Sequence, residues 1–199
     1  MKAVEELRLL GGSESLLSEI NISATFQDTV NSFFSFIGND EYTQSLKELY
    51  LSAKKAGVNA AFITYHLTLA GCGDIIPSRL AATLILHTLT LLRYGDDIVD
   101  HDRPSKTGNP ASDIIVQNLS LQLSNYTLEL LSRFMKNDDA LRLKLFYYST
   151  MAKLQKSEIM DASIRGQLMP FKEVLKILSM KTGGQGELVG GISSAVGFN

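Results

Sequence analysis

Apolar positions recur along most of this chain at the three-and-four spacing of a helix face, and no segment reads confidently as a strand. In residues 25–37, Phe26, Val30, Phe33, Phe34 and Ile37 fall on one stripe, which Gly38-Asn39-Asp40 stops. Residues 42–56 form a second amphipathic helix ending at Gly57. Residues 59–70 are apolar nearly all round, which predicts burial on most faces. Gly71-Cys72-Gly73-Asp74 reads as a turn, and Pro77-Ser78 opens the longest apolar helix. Residues 112–134 and 141–164 predict two more long helices, with Asp138 and Asp139 in a solvated loop or N-cap between them. Pro170 begins another helix, carrying Phe171, Val174, Leu175 and Leu178 on one face. Residues 3–10 and 13–20 read as short helical pieces broken by Gly11-Gly12, and a small-residue stretch follows Lys181-Thr182 to Asn199. The expectation is one all-α domain over residues 1–199.

Composition narrows the class. A chain of 199 residues with 45% hydrophobic content can bury one good-sized core, which excludes a disordered protein. The apolar run 80–92 is too short to cross a bilayer and is interrupted by His87. With a net charge of −2 and scattered basic residues, nucleic-acid binding has no electrostatic support. Cys72 is the only cysteine, which rules out an internal disulfide framework and fits a reducing, cytoplasmic setting. The first residues carry Glu5 and Glu6 and no apolar core, unlike a signal peptide.

The chemistry gathers where the longest apolar helix ends, in Asp96, Asp97, Asp100 and Asp102. On a helix, Asp96 and Asp100 project from the same face and Asp97 flanks them. Carboxylates so close repel one another, and a cation is their natural partner. Hard oxygen ligands on a rigid helix suit Mg²⁺, which shares phosphate oxygens with a substrate. The plainer reading is a solvated helix end. A core helix running straight into the cluster favours a cavity mouth. Residues 103–110 have turn chemistry and form a loop just past the cluster.

An Asp-Asp-x-x-Asp helix end followed by a basic, Gly-containing loop resembles the trans-isoprenyl diphosphate synthases. Asp96, Asp97 and Asp100 match the first Asp-rich motif, and Lys106-Thr107-Gly108-Asn109-Pro110 stands at the basic loop. Glu158 and Asp161 match the mid-chain helix motif, and Lys181-Thr182 matches the Lys-Thr pair on the next helix. The resemblance runs from about residue 57 to the end. It implies a bundle of long antiparallel helices around a central apolar cavity, with Mg²⁺ as cofactor. It implies a prenyltransferase that condenses an allylic prenyl diphosphate with isopentenyl diphosphate. Asp96, Asp97 and Asp100 would hold the metal, and Lys181 would steady the diphosphate. Arg103, Lys106, Thr182, Glu158 and Asp161 would help bind substrate, and Gln185 would join Thr182 in lining the cavity. Leu91 and Leu92 would set how long a product fits, unless they are ordinary core.

The chain also departs from the family. Gly57-Val58-Asn59-Ala60 stands where a Gly-Lys-x-x-Arg segment grips the second diphosphate, and Leu89 replaces a histidine seven residues before the first Asp. His87 lies two positions off, roughly 200° round the axis. The second Asp-rich motif and the last helices of that fold are absent from the sequence, so the expected bundle is incomplete at its C-terminus and dimeric, with itself or a related subunit. Three alternatives remain: a non-catalytic partner subunit or fragment, a His-Asp phosphohydrolase using His66, His101, Asp102 and Asp161, and a class I terpene cyclase. The last lacks its Asn-x-x-x-Ser-x-x-x-Glu segment here.

Overall fold

The computed structural model describes residues 22–100, 105–164 and 166–198, with Asp100 described as a helix position only. Residues 3–20, Arg103 and the pair His101-Asp102 therefore lie outside the described residues, as does the side chain of Asp100. All regular structure among the described residues is helical. In chain order it comprises α1 (Ile22–Ile37), α2 (Glu41–Ser52), α3 (Val58–Cys72), α4 (Ile75–Asp100), α5 (Pro110–Ser132), α6 (Asn137–Ser163) and α7 (Phe171–Leu178). A π-helical turn, Ser179–Gly183, then joins α7 without a break to α8 (Gly184–Gly197).

The ends of these helices follow local chemistry. Asp40 caps α2, its carboxylate accepting from the Thr43 amide at 2.9 Å and the Thr43 hydroxyl at 2.7 Å. Asn109 caps α5 in the same way, ahead of Pro110, whose missing N–H costs nothing in a first turn. Helix α4 begins two residues before Pro77, because the Asp74 side chain already accepts from the Ile76 amide at 3.0 Å. Asp138 and Asp139 belong to the first turn of α6, where acids suit the helix dipole.

Helix α4 is the axis of the molecule. Every residue from Leu80 to Leu92 is buried, which explains why its sequence has no polar face. Helices α1, α3, α5, α6 and α8 all pack on it. Helix α5 returns antiparallel along it, with Gln117 beside Gly95 and Ser124 beside Thr88. Helix α6 in turn runs antiparallel to α5 and α8. Ala82, Leu84, Ile85, Val116, Leu123, Leu128 and Leu154 are fully buried at the centre, each contributing about 1–3 kcal/mol through lost apolar exposure. Thr88 and Thr90 of α4 satisfy their buried hydroxyls within the fold: Thr90 Oγ1 donates to the Leu86 carbonyl at 2.7 Å, and Thr88 Oγ1 donates to the Leu84 carbonyl at 2.8 Å and meets the Tyr147 hydroxyl at 3.1 Å. The window Ile75–Val99 is long and apolar enough to cross a membrane by composition, yet 83% of it is buried within the fold.

The small-residue stretch near the C-terminus is helical, and at some of its positions the neighbours leave no room for a larger residue. A Cβ on Gly191 would overlap the Phe146 ring, and Gly71 of α3 meets the backbone of Gly197. Helix α8 thus meets α3 by close backbone approach and α6 through the Phe146 ring laid on a glycine.

Candidate functional site

The last turns of α4 bring Arg93, Asp96 and Asp97 to one end of the bundle, where α6 presents Glu158 and Asp161. Lys181 completes the group from the π turn. A π turn winds the backbone wider than an α-helix and re-aims the side chains on it, and such turns recur at functional sites. Here the Lys181 ammonium donates to Asp96 Oδ1 at 2.7 Å and to Asp161 Oδ2 at 3.1 Å, and stands 2.8 Å from Glu158 Oε2. Three carboxylates from two helices thus share one cation on a third. Gly184, next to the turn, is fixed by Leu154, whose Cδ2 would lie 2.8 Å from any added Cβ.

Burial alone would discharge these groups, and their neighbours decide which of them keep charge. Burial pushes the Lys181 ammonium towards neutrality, but its three carboxylate partners outweigh this and raise its pKa. Burial likewise pushes Asp96 up. The Lys181 bond and charge, with Arg93 beyond, reverse the sign and hold Asp96 below the usual carboxylate range. Glu158 goes the other way, raised by burial and by the facing Asp96 despite Lys181. Within this coupled group, Glu158 therefore accepts a proton before Asp96 does.

Asp97 faces a second set of cations. Arg93 Nε lies 3.6 Å from Asp97 Oδ2 while Arg93 NH1 lies 3.6 Å from Asp96 Oδ2, so the guanidinium bridges both acids. Lys106 pairs with Asp97 from the loop and sits 5.0 Å from the centre of the Tyr94 ring. That loop is clamped by Asp113 in the first turn of α5. Its carboxylate accepts from the Lys106 amide at 3.1 Å, the Thr107 amide at 3.1 Å and the Thr107 hydroxyl at 2.8 Å. Burial pushes Asp113 up, but the hydrogen bonds from Ser105 and Thr107 win and lower its pKa.

A cavity of about 200 Å³ opens beside the acids, lined by Ala56, Gly57, Leu89, Leu92, Arg93, Asp96, Glu158, Lys181 and Gln185. Leu89, Leu92, Arg93 and Asp96 share one face of α4 at successive three-and-four spacings, so an apolar wall runs directly into the charged group. Gly57 has φ +81°, a left-handed conformation, and a Cβ there would overlap Leu89. Glycine is required at Gly57 on both counts.

The structure brings together Asp96, Glu158, Asp161 and Lys181, and places Lys106 on Asp97. Leu92 lines the cavity. Leu91 is buried but does not line it, because it points from another face of α4. Thr182 is exposed and outside the lining, since the turn that aims Lys181 inward rotates its neighbour out. His87 is fully buried against the Tyr50 hydroxyl, 2.7 Å from its Nδ1, and is not part of the site. His66 is exposed on α3, a helix with no contact to the α6 that carries Asp161. Among the described residues, the one group of three metal-ligand side chains is Asp96, Glu158 and Asp161, with donor oxygens within 4.8 Å of one another and no histidine. Sequence reasoning did not single out Arg93 or Asp113. The spacing of Arg93, three and four residues before Asp96 and Asp97, carried that signal. Asp113 gave none, since its partners are two backbone amides and a hydroxyl of a loop whose path the sequence does not show.

No protein-family model, curated protein or solved structure matches the chain.

Proposed function

We propose that the chain is a Mg²⁺-dependent prenyltransferase of the trans-isoprenyl diphosphate synthase kind, with the bundle of that fold around the cavity. It would act on an allylic prenyl diphosphate and isopentenyl diphosphate. One observation carries the reading: four residues matched from three separate motifs, Asp96, Glu158, Asp161 and Lys181, meet at a single ammonium beside an apolar cavity. Chance matches to a motif have no reason to converge in space.

Charge supports the metal. Arg93, Lys106 and Lys181 face Asp96, Asp97, Glu158 and Asp161, so the group is net negative when all are ionised. A diphosphate approaching it needs added cations, and the oxygen donors are those Mg²⁺ prefers. Asp96, with Asp97 and Asp100, would hold the metal, which when bound neutralises charge on the diphosphate. The chain's own groups do the rest. Lys181 exchanges its carboxylate contacts for diphosphate oxygens, and Arg93 and Lys106 add positive charge where the leaving group gains negative charge. Leu89, Leu92 and Ala56 would keep water from the allylic carbon while its C–O bond breaks, until the double bond of isopentenyl diphosphate attacks the cation and the adduct gives up a proton to the departed diphosphate, restoring a double bond.

A second reading, a non-catalytic partner subunit, draws on one contact. Leu89 packs on Gly57 where the resemblance expects the grip on the second diphosphate. Calorimetry with farnesyl diphosphate, in Mg²⁺ and in EDTA, tests the main reading. Mg²⁺-dependent binding that is lost in Asp96→Ala is expected, followed by turnover with isopentenyl diphosphate. Binding without turnover moves the second reading ahead, and no binding by the folded wild type removes both the site and the enzyme.

A further inference from the structure

Asp96 and Asp97, two of the acids that the proposed reading gives to a metal, already carry cations of the chain's own. Asp96 Oδ1 accepts from the Lys181 ammonium at 2.7 Å, and its Oδ2 lies 3.6 Å from Arg93 NH1. Asp97 is faced by Arg93 and Lys106. These cations are not equal. The Arg93 contacts are long and its side chain is 42% exposed, so water screens them. Lys106 belongs to a loop whose amides Asp113 holds in place. Lys181 stands within 3.1 Å of three carboxylates, with its side chain only 20% exposed. At such distances charge-assisted bonds are short and strong.

Lys181 also has room to turn away. Its stem is a flexible four-carbon chain, and it lines the cavity of about 200 Å³ together with Gln185. The π turn that carries it is open on the side of Gly183, where an added Cβ would meet nothing. The ammonium can therefore swing from the acids to an anion in the cavity without unpacking a core helix.

A divalent ion competes with this ammonium for the same negative charge. Among the described side chains, Arg93, Lys106 and Lys181 face Asp96, Asp97, Glu158 and Asp161, which leaves one net negative charge. That is a poor inducement for Mg²⁺, which gives up its water reluctantly. An ammonium a few ångströms away adds direct repulsion. Diphosphate alone meets four carboxylates and is repelled in turn. Offered together, the two relieve each other: the anion draws the lysine off, and the oxygens it leaves face the metal.

We infer that Lys181 is a built-in counter-ion that keeps a free divalent cation off Asp96 and yields only to an anion, so that the site takes metal and anion as a pair. The prenyl part of the anion rests on the proposed reading; the exclusion of free metal does not.

Calorimetry on the full chain near neutral pH tests this with two probes, Mg²⁺ alone and Mg²⁺ with inorganic diphosphate. For Mg²⁺ alone, Lys181→Met is expected to bind at least about tenfold more tightly than the wild type. Lys181→Arg, which keeps the charge, should behave as the wild type. With diphosphate present the order reverses, and the wild type binds the pair more tightly than Lys181→Met. Lys181→Gln leaves a donor for the carboxylates and should share the gain for Mg²⁺, so it serves if circular dichroism shows Lys181→Met unfolded. Adding Asp96→Asn to either neutral variant should abolish the gain. Four results overturn the inference: neutral variants that bind Mg²⁺ no more tightly than the wild type, a gain shared by Lys181→Arg, a gain that survives Asp96→Asn, and an order that diphosphate does not reverse. Farnesyl diphosphate judges the prenyl reading separately. Should it bind the wild type no better than inorganic diphosphate while the order still reverses, that reading fails and the counter-ion stands.

Discussion

Replacing Lys181 with methionine keeps the stem and removes the charge, leaving Asp96, Glu158 and Asp161 facing one another with no cation between them. Each of the three contacts, at 2.7, 2.8 and 3.1 Å, is worth about 1.5–3 kcal/mol for a well-buried charged partner. The side chains are 15%, 20% and 37% exposed, so solvent screening reduces each to about 1 kcal/mol. The loss at pH 7 is therefore about 3 kcal/mol, or roughly 6–12 °C in Tm for a chain of this size. The pH dependence separates this account from a packing defect. In the wild type Asp96 is held below its ordinary value, so its contribution persists above that value and is lost only as pH falls through the lowered pKa. In Lys181→Met the carboxylates of Asp96 and Glu158 lose the charge that lowers them and repel each other, so both rise, and the folded variant binds protons that the unfolded chain does not. The variant therefore gains stability as pH falls, and its deficit shrinks towards about 1 kcal/mol near pH 4. Urea unfolding followed by far-UV circular dichroism at both pH values measures this. A deficit below 0.5 kcal/mol at pH 7 (~0.5 being the usual scatter of surface substitutions), or one that does not change with pH, would refute the reasoning.

Three further expectations follow from single contacts. Asp113→Ala leaves two loop amides without their acceptor, while the Thr107 hydroxyl keeps the Asn109 carbonyl, and should cost about 1–3 kcal/mol, with hydrogen exchange at Lys106 and Thr107 accelerated in the same variant. Gly71→Ala drives a methyl into the Gly197 backbone, whereas Gly191→Ala meets only a half-buried Phe146 ring that can turn aside. The first should cost about 3 kcal/mol or more and the second less, as read by thermal denaturation. Burial, with the Lys55 charge nearby, pushes His87 from 6.5 down to about 3, so between those values the unfolded chain holds a proton the folded one lacks. Stability should fall as pH drops below 6.5, and His87→Gln should flatten that slope in a pH series of urea midpoints.

How much of this was legible in the sequence depended on whether a residue's role is local. Helices α1 to α6 announced themselves through periodicity and caps, and their ends fall within a few residues of the expectation. Where they moved, a side chain outside the apolar pattern was responsible, as with Asp74 ahead of Pro77. Helix α8 was hidden because its glycines weaken a helix locally, and two of them, Gly191 and Gly197, are explained only by the neighbours pressed against them. In the site, Asp96, Glu158, Asp161 and Lys181 could be singled out from motifs, but their convergence could not. It rests on a π turn that no local pattern in Ser179–Gly183 predicts. Leu91 and Leu92 were indistinguishable in sequence, and only the rotation of α4 separates the one that lines the cavity from the one that does not.

The position of α4 at the centre has a consequence for how the chain comes together. A helix buried on every side has no solvent face to stand on alone, so residues 80–92 cannot settle before α3, α5 and α8 arrive. A break within α4 would leave neither half a core of its own, and the two pieces would fold only on each other. Its amides should be the last in the molecule to exchange with solvent, opening only when the whole domain does. The acids at its end are therefore mounted on the part of the chain least able to move by itself.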